Sequence, residues 1–234
     1  AAERVVAVQD LAKTWDTEAA GALLKLMKPD EDPDVLIGIL QSAGQHPDAG
    51  ATDILKAGLV MKGAETWRVR GTAATTLIAR AAPGDLDLTA EITKDNKEKE
   101  KDGRVLQLLC DGLADSSNKN EEAKVLGILK PLLENEDWRV RAAAIKALGN
   151  KTGSDSATRL LAERLRSEDG RLTQDLLTAL QRVTGQELGP NPKTWTRWLK
   201  SRDNPQEGGE PAVEGAEEAE GYGAPPPVTY HGVK

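Results

Sequence analysis

Residues 65–70 read Glu-Thr-Trp-Arg-Val-Arg, and residues 136–141, 71 positions later, read Glu-Asp-Trp-Arg-Val-Arg. A run of small residues follows each copy, Gly71-Thr72-Ala73-Ala74 after the first and Ala142-Ala143-Ala144-Ile145 after the second. A polar capping residue, then an apolar position inside an alanine-rich run, is how a helix begins. Meeting that start twice predicts duplication of a helical unit with a period of about half the spacing.

Working outward, the apolar residue after the cap aligns as Val35, Val69, Val105, Val140 and Leu172, in steps of 34, 36, 35 and 32 residues. Eight positions after the last four of these stand Leu77, Leu113, Leu148 and Leu180, so the match covers whole helices. Near the start, Arg4-Val5-Val6-Ala7-Val8-Gln9-Asp10-Leu11 reads as a further copy slightly out of register. About six units with two helical stretches each predict an all-α protein, an α-solenoid.

Each unit divides into two helices. In the fifth, the first spans about 138–148 and ends at Gly149-Asn150, which reads as a C-cap pair. A turn over 151–153 leads to Ser154 or Asp155 as the next N-cap, and Leu160, Leu161 and Leu165 form a stripe at helical spacing. In the second unit the first helix spans about 34–43, a turn carries Gly44 and His46-Pro47-Asp48, and the second helix runs to about Met61. The third unit's second helix, near 85–93, is short. No stretch alternates with period two, so no sheet is predicted.

The two-helix plan, the Trp-Arg-Val-Arg-x-Ala-Ala run and the Ala/Leu-rich cores resemble HEAT repeats over about residues 3–185, most of all the short bacterial type of phycocyanobilin lyase subunits. The resemblance implies a right-handed superhelix of helix pairs. It would place Arg70 and Arg141 at the Arg position of a ladder tying neighbouring repeats, with Asp155 a partner-type residue in the intra-repeat turn. Arg104 and Arg171 sit two places before that position, which Leu106 and Thr173 fill, so the ladder is expected to be incomplete in the fourth and sixth repeats.

Composition fits this plan. Among 234 residues there are no Phe, five Trp and two Tyr, so Leu, Val, Ile and Ala must build the core. A solenoid tolerates this because each thin layer is filled by neighbouring helices. The one cysteine, Cys110, lies beside Leu108 and Leu109 and reads as a small buried hydrophobe.

Charge is uneven. Residues 203–234 hold seven acids against Lys234, a net of −6 within a total of −7, which leaves 1–202 near neutral. The solenoid shows no basic stripe, and its second helices mix signs (Asp53, Lys56, Glu121, Lys124, Arg159, Glu163), so nucleic-acid binding is not expected. The zwitterionic run over 94–102 reads as a solvated loop or exposed helix end.

After Gly189, Pro190 and Pro192 break the pattern, Asn191 can cap a new helix with Pro192 at its first position. Trp195, Trp198 and Leu199 share one face at i, i+3, i+4 and read as a structural cap over the last repeat. The string from Thr184 to Trp198 also resembles the ending of many HEAT-repeat proteins of Planctomycetes-type bacteria. From 203 onward Gly, Glu, Ala and Pro dominate, too little apolar surface to fold alone. The closing stretch adds Tyr222, Pro225, Pro226, Pro227 and Tyr230, the residue types of a peptide that docks on another molecule.

Catalytic patterns are scarce. The two histidines, His46 and His231, lie far apart, and no metal spacing, phosphate loop or nucleophile elbow occurs, so no cofactor, metal or small-molecule substrate is expected. Ser116-Ser117-Asn118-Lys119 and Lys151-Thr152-Gly153 match serine-lactamase vocabulary, but both fall in turns between helices, with no sheet to carry the second. No stretch is long and apolar enough to span a membrane. The start Ala1-Ala2-Glu3, read as a mature one, looks like signal-peptidase cleavage and suggests the periplasm or cell exterior. Trimming or Met removal gives the same start and leaves the cytoplasm open.

The reading is therefore a HEAT-type solenoid over 1–189, a capping helix over 190–202 and an acidic, Pro-rich tail over 203–234. The expected function is a non-catalytic scaffold or structural subunit, partnered by a protein or by itself, with the tail docking. The alternative is an enzyme-associated subunit of the bilin-lyase type, which would need a deep apolar cleft.

Overall fold

The computed structural model describes residues 2–94, 99–116, 121–168 and 170–203. Twelve helices and no strand occur among them: α1 (Ala2–Lys13), α2 (Thr17–Leu26), α3 (Pro33–Ala43), α4 (Ala49–Leu59), α5 (Trp67–Arg80), α6 (Asp85–Glu91), α7 (Gly103–Asp115), α8 (Glu122–Leu132), α9 (Trp138–Gly149), α10 (Asp155–Ser167), α11 (Thr173–Thr184) and α12 (Pro192–Asp203). The Tyr222–Tyr230 stretch of the tail, and residues 95–98 of the charged run over 94–102, lie outside the described residues.

Local chemistry sets the boundaries. Asp16, Asp32, Asp48, Asp102, Asp137 and Ser154 each accept a backbone N–H of the first turn that follows, at 2.8–3.0 Å. Pro33 and Pro192 open their helices, where a missing N–H costs nothing. The first helix of the fifth repeat ends at Gly149-Asn150, as expected. Asn150 closes α9 with φ −84°, and Gly149 is its last helical residue. A Cβ on Gly149 would lie 3.0 Å from Ala179 Cβ and 3.1 Å from its Cα, so this glycine serves close approach of α9 and α11.

The odd-numbered helices pack each on the next to form one layer, and the even-numbered helices form a second layer beside them. This is an α-solenoid of helix pairs. The aligned residues Val35, Val69, Val105, Val140 and Leu172 are all fully buried, as are Leu77, Leu113, Leu148 and Leu180 eight places on. Each such Leu or Val contributes roughly 1.5–3 kcal/mol of burial. Alanines such as Ala73, Ala74, Ala144 and Ala147 are also buried in the first layer, where small side chains let helices approach.

The last helix departs from the repeat. Thr196, near the start of α12, accepts from Arg166 near the end of α10, and Asp203, at its finish, pairs with Arg159 near the start of α10. The two helices therefore run antiparallel. Residues 185–191 carry the chain back across the end of the stack before α12 begins. Trp195 and Leu199 are buried, and the Trp195 indole donates to the Gly189 carbonyl at 2.9 Å, pinning that crossing. Trp198 is half-buried and meets Trp195 edge-on, centroids 6.5 Å apart.

Candidate interaction surfaces

Polar side chains gather along two edges of the stack. One edge carries the junctions between successive repeats. There Arg70 Nε donates to Glu100 at 2.6 Å, and its Nη1 donates to Gly63 O at 2.7 Å and Thr66 Oγ1 at 2.8 Å. The fifth repeat copies this. Arg141 Nη1 donates to Asn135 O at 2.9 Å, and Nε stands 3.7 Å from Glu168, which also accepts from Arg164 at 2.6 Å. Arg4 of the first repeat likewise pairs with Glu31. The first, third and fifth repeats thus each send an arginine from their first helix to a glutamate at the next junction.

The fourth and sixth repeats answer with a different contact. Arg104 lies over the Trp67 ring at 4.4 Å, and Arg171 over Trp138 at 4.6 Å. These are cation–π stacks between adjacent repeats, made by the same residue positions 71 and 67 apart in sequence. In the two repeats where Leu106 and Thr173 leave the ladder incomplete, the arginines two places earlier make a second kind of tie. A hydrogen bond from Arg104, and after it the N–H of Arg104 and the nearby Arg70, hold Asp102 below the usual carboxylate range against the effect of burial.

The opposite edge carries the turns within repeats. Trp15 stacks on His46 with centroids 4.2 Å apart and donates to Asp48 at 2.7 Å. Burial would raise the Asp48 carboxyl, but the Ala51 N–H and the Trp15 indole outweigh it and the net direction is down. Arg80 and Asp85 form a buried pair, and Arg80 also reaches His46 O at 3.1 Å and Thr52 Oγ1 at 3.0 Å in the preceding repeat. Lys151 donates to Leu113 O and Ser116 O, both at 2.6 Å, capping the end of α7 from the next repeat. Burial pushes this lysine down, opposed by Glu122 and Asp115. The two lactamase-like strings therefore do meet, but through a backbone carbonyl in a helix cap; residues 117–119 lie outside the described residues. Asp155 faces the capping helix, 2.7 Å from Arg202, whereas Arg141 pairs with Glu168.

Sequence reasoning missed the Arg80–Asp85 pair. Its signal was a basic residue closing one helix five places before an acid opening the next. Cys110 is buried, and its thiol is pushed up to about 12 by that burial, with Asp111 adding.

Between the edges, a groove of about 440 Å³ crosses α7, α9 and α11. Ala142, Ala143, Gly149 and Ala179 contribute to its lining, along with the Lys146–Asp111 pair at 3.0 Å and Asp175 and Arg182. A second, of about 390 Å³, lies around Arg70 between the loops at 59–64 and 99–102. Among the described residues no three His, Cys, Asp or Glu side chains cluster as a metal site would need. No described helix is long and apolar enough to cross a membrane.

Residues 96–181, from the approach to α7 through most of α11, match the family model of HEAT repeats. That stretch consists of HEAT repeats. No curated protein matches it. HEAT repeats generally mediate protein–protein interaction, and in this stack Arg–Glu and Arg–Trp ties join neighbouring units.

Proposed function

We propose that this protein is a non-catalytic scaffold or structural subunit that holds a protein partner, or a second copy, against the outer surfaces of its stack. The observation that carries this is where the buried polar groups go. Arg70, Arg80, Arg141 and Lys151 all tie one repeat or turn to another. What the stack offers outward is shape: a shallow groove with a small-residue floor and a charged rim, suited to a helix or extended segment. Charged side chains line both grooves, which favours a scaffold over a lyase-type subunit built around a deep apolar cleft.

In this reading the tail is the strap, with Tyr222, Pro225, Pro226, Pro227 and Tyr230 as its anchors, since aromatic and proline side chains add contact area at low entropic cost. Light scattering coupled to size exclusion, on the full chain and on a Tyr222→Ser/Tyr230→Ser variant, tests this. Assemblies that fall to single copies in the variant support a strap. A full chain that is monomeric, and whose tail peptide and groove bind no protein in cross-linking, would sink the scaffold reading.

A further inference from the structure

The groove over α9 is lined by four charged side chains, and two of them neutralise each other: Lys146 pairs with Asp111 at 3.0 Å. The other two, Asp175 and Arg182, both stand on α11, exposed and seven positions apart. Among the described residues Asp175 has no cationic partner, and Arg182 donates only to the neutral Asn150 Oδ1, at 3.0 Å. At 1.5 Å per residue the two lie about 10.5 Å apart along the helix, too far to neutralise each other. The groove thus carries a negative charge near the start of α11 and a positive one near its end, with Thr178 between them.

An occupant that fits must bring the opposite charges at the same spacing on one face. A second α11, turned antiparallel, does this. A two-fold axis near Thr178 sets the Arg182 of one copy against the Asp175 of the other, and the reverse. The two contacts are one contact made twice, which is what closes an isologous pair. Shape agrees with charge. Asp175, Thr178 and Arg182 make α11 a wall of the groove, while α9 contributes Ala142, Ala143 and Gly149. In the two-fold pair the α11 of each copy lies over α9 of the other, so each wall fills the other's groove. Small side chains on α9 suit the 8–10 Å at which helix axes typically pack. At the axis an uncharged Thr178 meets its own copy, so no like charges are brought together there.

We propose that this groove is the interface between two copies of the chain, joined about a two-fold axis at α11 by reciprocal Asp175–Arg182 contacts. The proposal rests on the scaffold reading and deepens it by naming what the groove holds. The charges set the register and direction of the pair more than its affinity, and salt weakens them. The even-numbered helices take no part and stay open to other contacts.

Sedimentation velocity of the full chain over a concentration series tests this, and a dimer is expected. Asp175→Arg alone, and Arg182→Asp alone, bring like charges together at both symmetric contacts and should raise the dimer's dissociation constant roughly tenfold or more. An equimolar mixture of the two variants should restore pairing, because one contact then has both residues exchanged and the other has both unchanged. The doubly substituted Asp175→Arg/Arg182→Asp chain should again pair with itself. Both positions are exposed, and recovery in the mixture shows that the single variants are folded. A dimer indifferent to both single variants would overturn the proposal and move assembly to another surface, leaving the scaffold reading in place. Loss in the single variants without recovery in the mixture would overturn the two-fold contact. A chain monomeric at every concentration would overturn it as well, and cross-linking of the groove to another protein then decides the scaffold reading separately.

Discussion

Arg70 Nε lies 2.6 Å from Glu100 Oε2 across the junction of the third and fourth repeats, with both side chains about nine-tenths buried. Because the guanidinium also donates to Gly63 O and Thr66 Oγ1, one side chain fixes two loops at once. Arg141 occupies the matching place in the fifth repeat, but its Nε has no hydrogen-bond partner and shares Glu168 with Arg164. The two copies of the motif are thus not energetically equal.

Removing one member of the first pair leaves a buried charge uncompensated, which costs about 3–5 kcal/mol. Arg70→Leu and Glu100→Leu should each destabilise on that scale in urea unfolding, and the double variant by less than the sum. Arg141→Leu should cost clearly less than Arg70→Leu. Equal losses at the two sites would refute the difference in satisfaction.

Two glycines in helices should respond to alanine in opposite directions. At Gly21, exposed in α2, an added Cβ meets nothing within 4 Å, so Gly21→Ala should gain up to about 1 kcal/mol from helix propensity. At Gly149 the Cβ would press on Ala179 Cβ and Cα, so the same gain is outweighed by overpacking of about 1–3 kcal/mol. Thermal melts of the two variants shifting the same way would disprove this.

Cys110 should be inert to thiol reagents at pH 8 in the folded protein and react at once in urea. Its folded thiol is raised from 9.0 to about 12, so the unfolded chain loses its proton first as pH rises. Stability should therefore fall between pH 9 and 12, by at most about 1.4 kcal/mol per pH unit, with no contribution below that window. Cys110→Ala should remove this slope. A slope unchanged by the substitution would assign it to other groups.

The lysines differ in the same titration. Lys151 is lowered by burial, so in the folded protein it should deprotonate before Lys124, which is raised by its hydrogen bond to Asp87 at 2.9 Å. For Lys151 the sign is the reverse of the usual paired lysine: its charge opposes folding at low pH, and stability recovers as pH climbs through its folded value toward 10.5. Side-chain NMR titration with the order inverted would contradict this.

Much of the stack was legible because its signals are local. A cap, an apolar residue and a leucine eight places on mark a helix whatever it packs against, and all nine aligned positions are buried. The ties between repeats were only half legible. Arg104 was visible as an arginine out of register, yet its partner Trp67 lies 37 residues earlier, and only packed geometry brings them together. The direction of α12 was also hidden, since the caps of a helix define its ends and not its orientation to a neighbour. The clue was the crossing over 185–191, longer than the other turns within repeats. Gly149 was legible as part of a helix end, but its close approach to Ala179 of the next repeat was not.

That reversed helix leads to the last prediction. Trp195 is 1 % exposed and is the largest buried side chain of the protein. It holds α12 on α10, where Leu161, Ala162 and Leu165 are also buried. Trp195→Ala should cost about 3–5 kcal/mol. In a stack whose stability is a sum of unit and junction terms, the loss should fall first on α12 and the adjacent pair, not on all repeats together. Hydrogen exchange should show early loss of protection over 155–203 with α3 and α5 unaffected. Trp198→Ala, at a half-buried ring with Arg202 5.0 Å over it, should cost less and leave α12 docked. If Trp195→Ala instead unprotects every helix at once, the stack is one cooperative unit and α12 is a keystone for all six pairs.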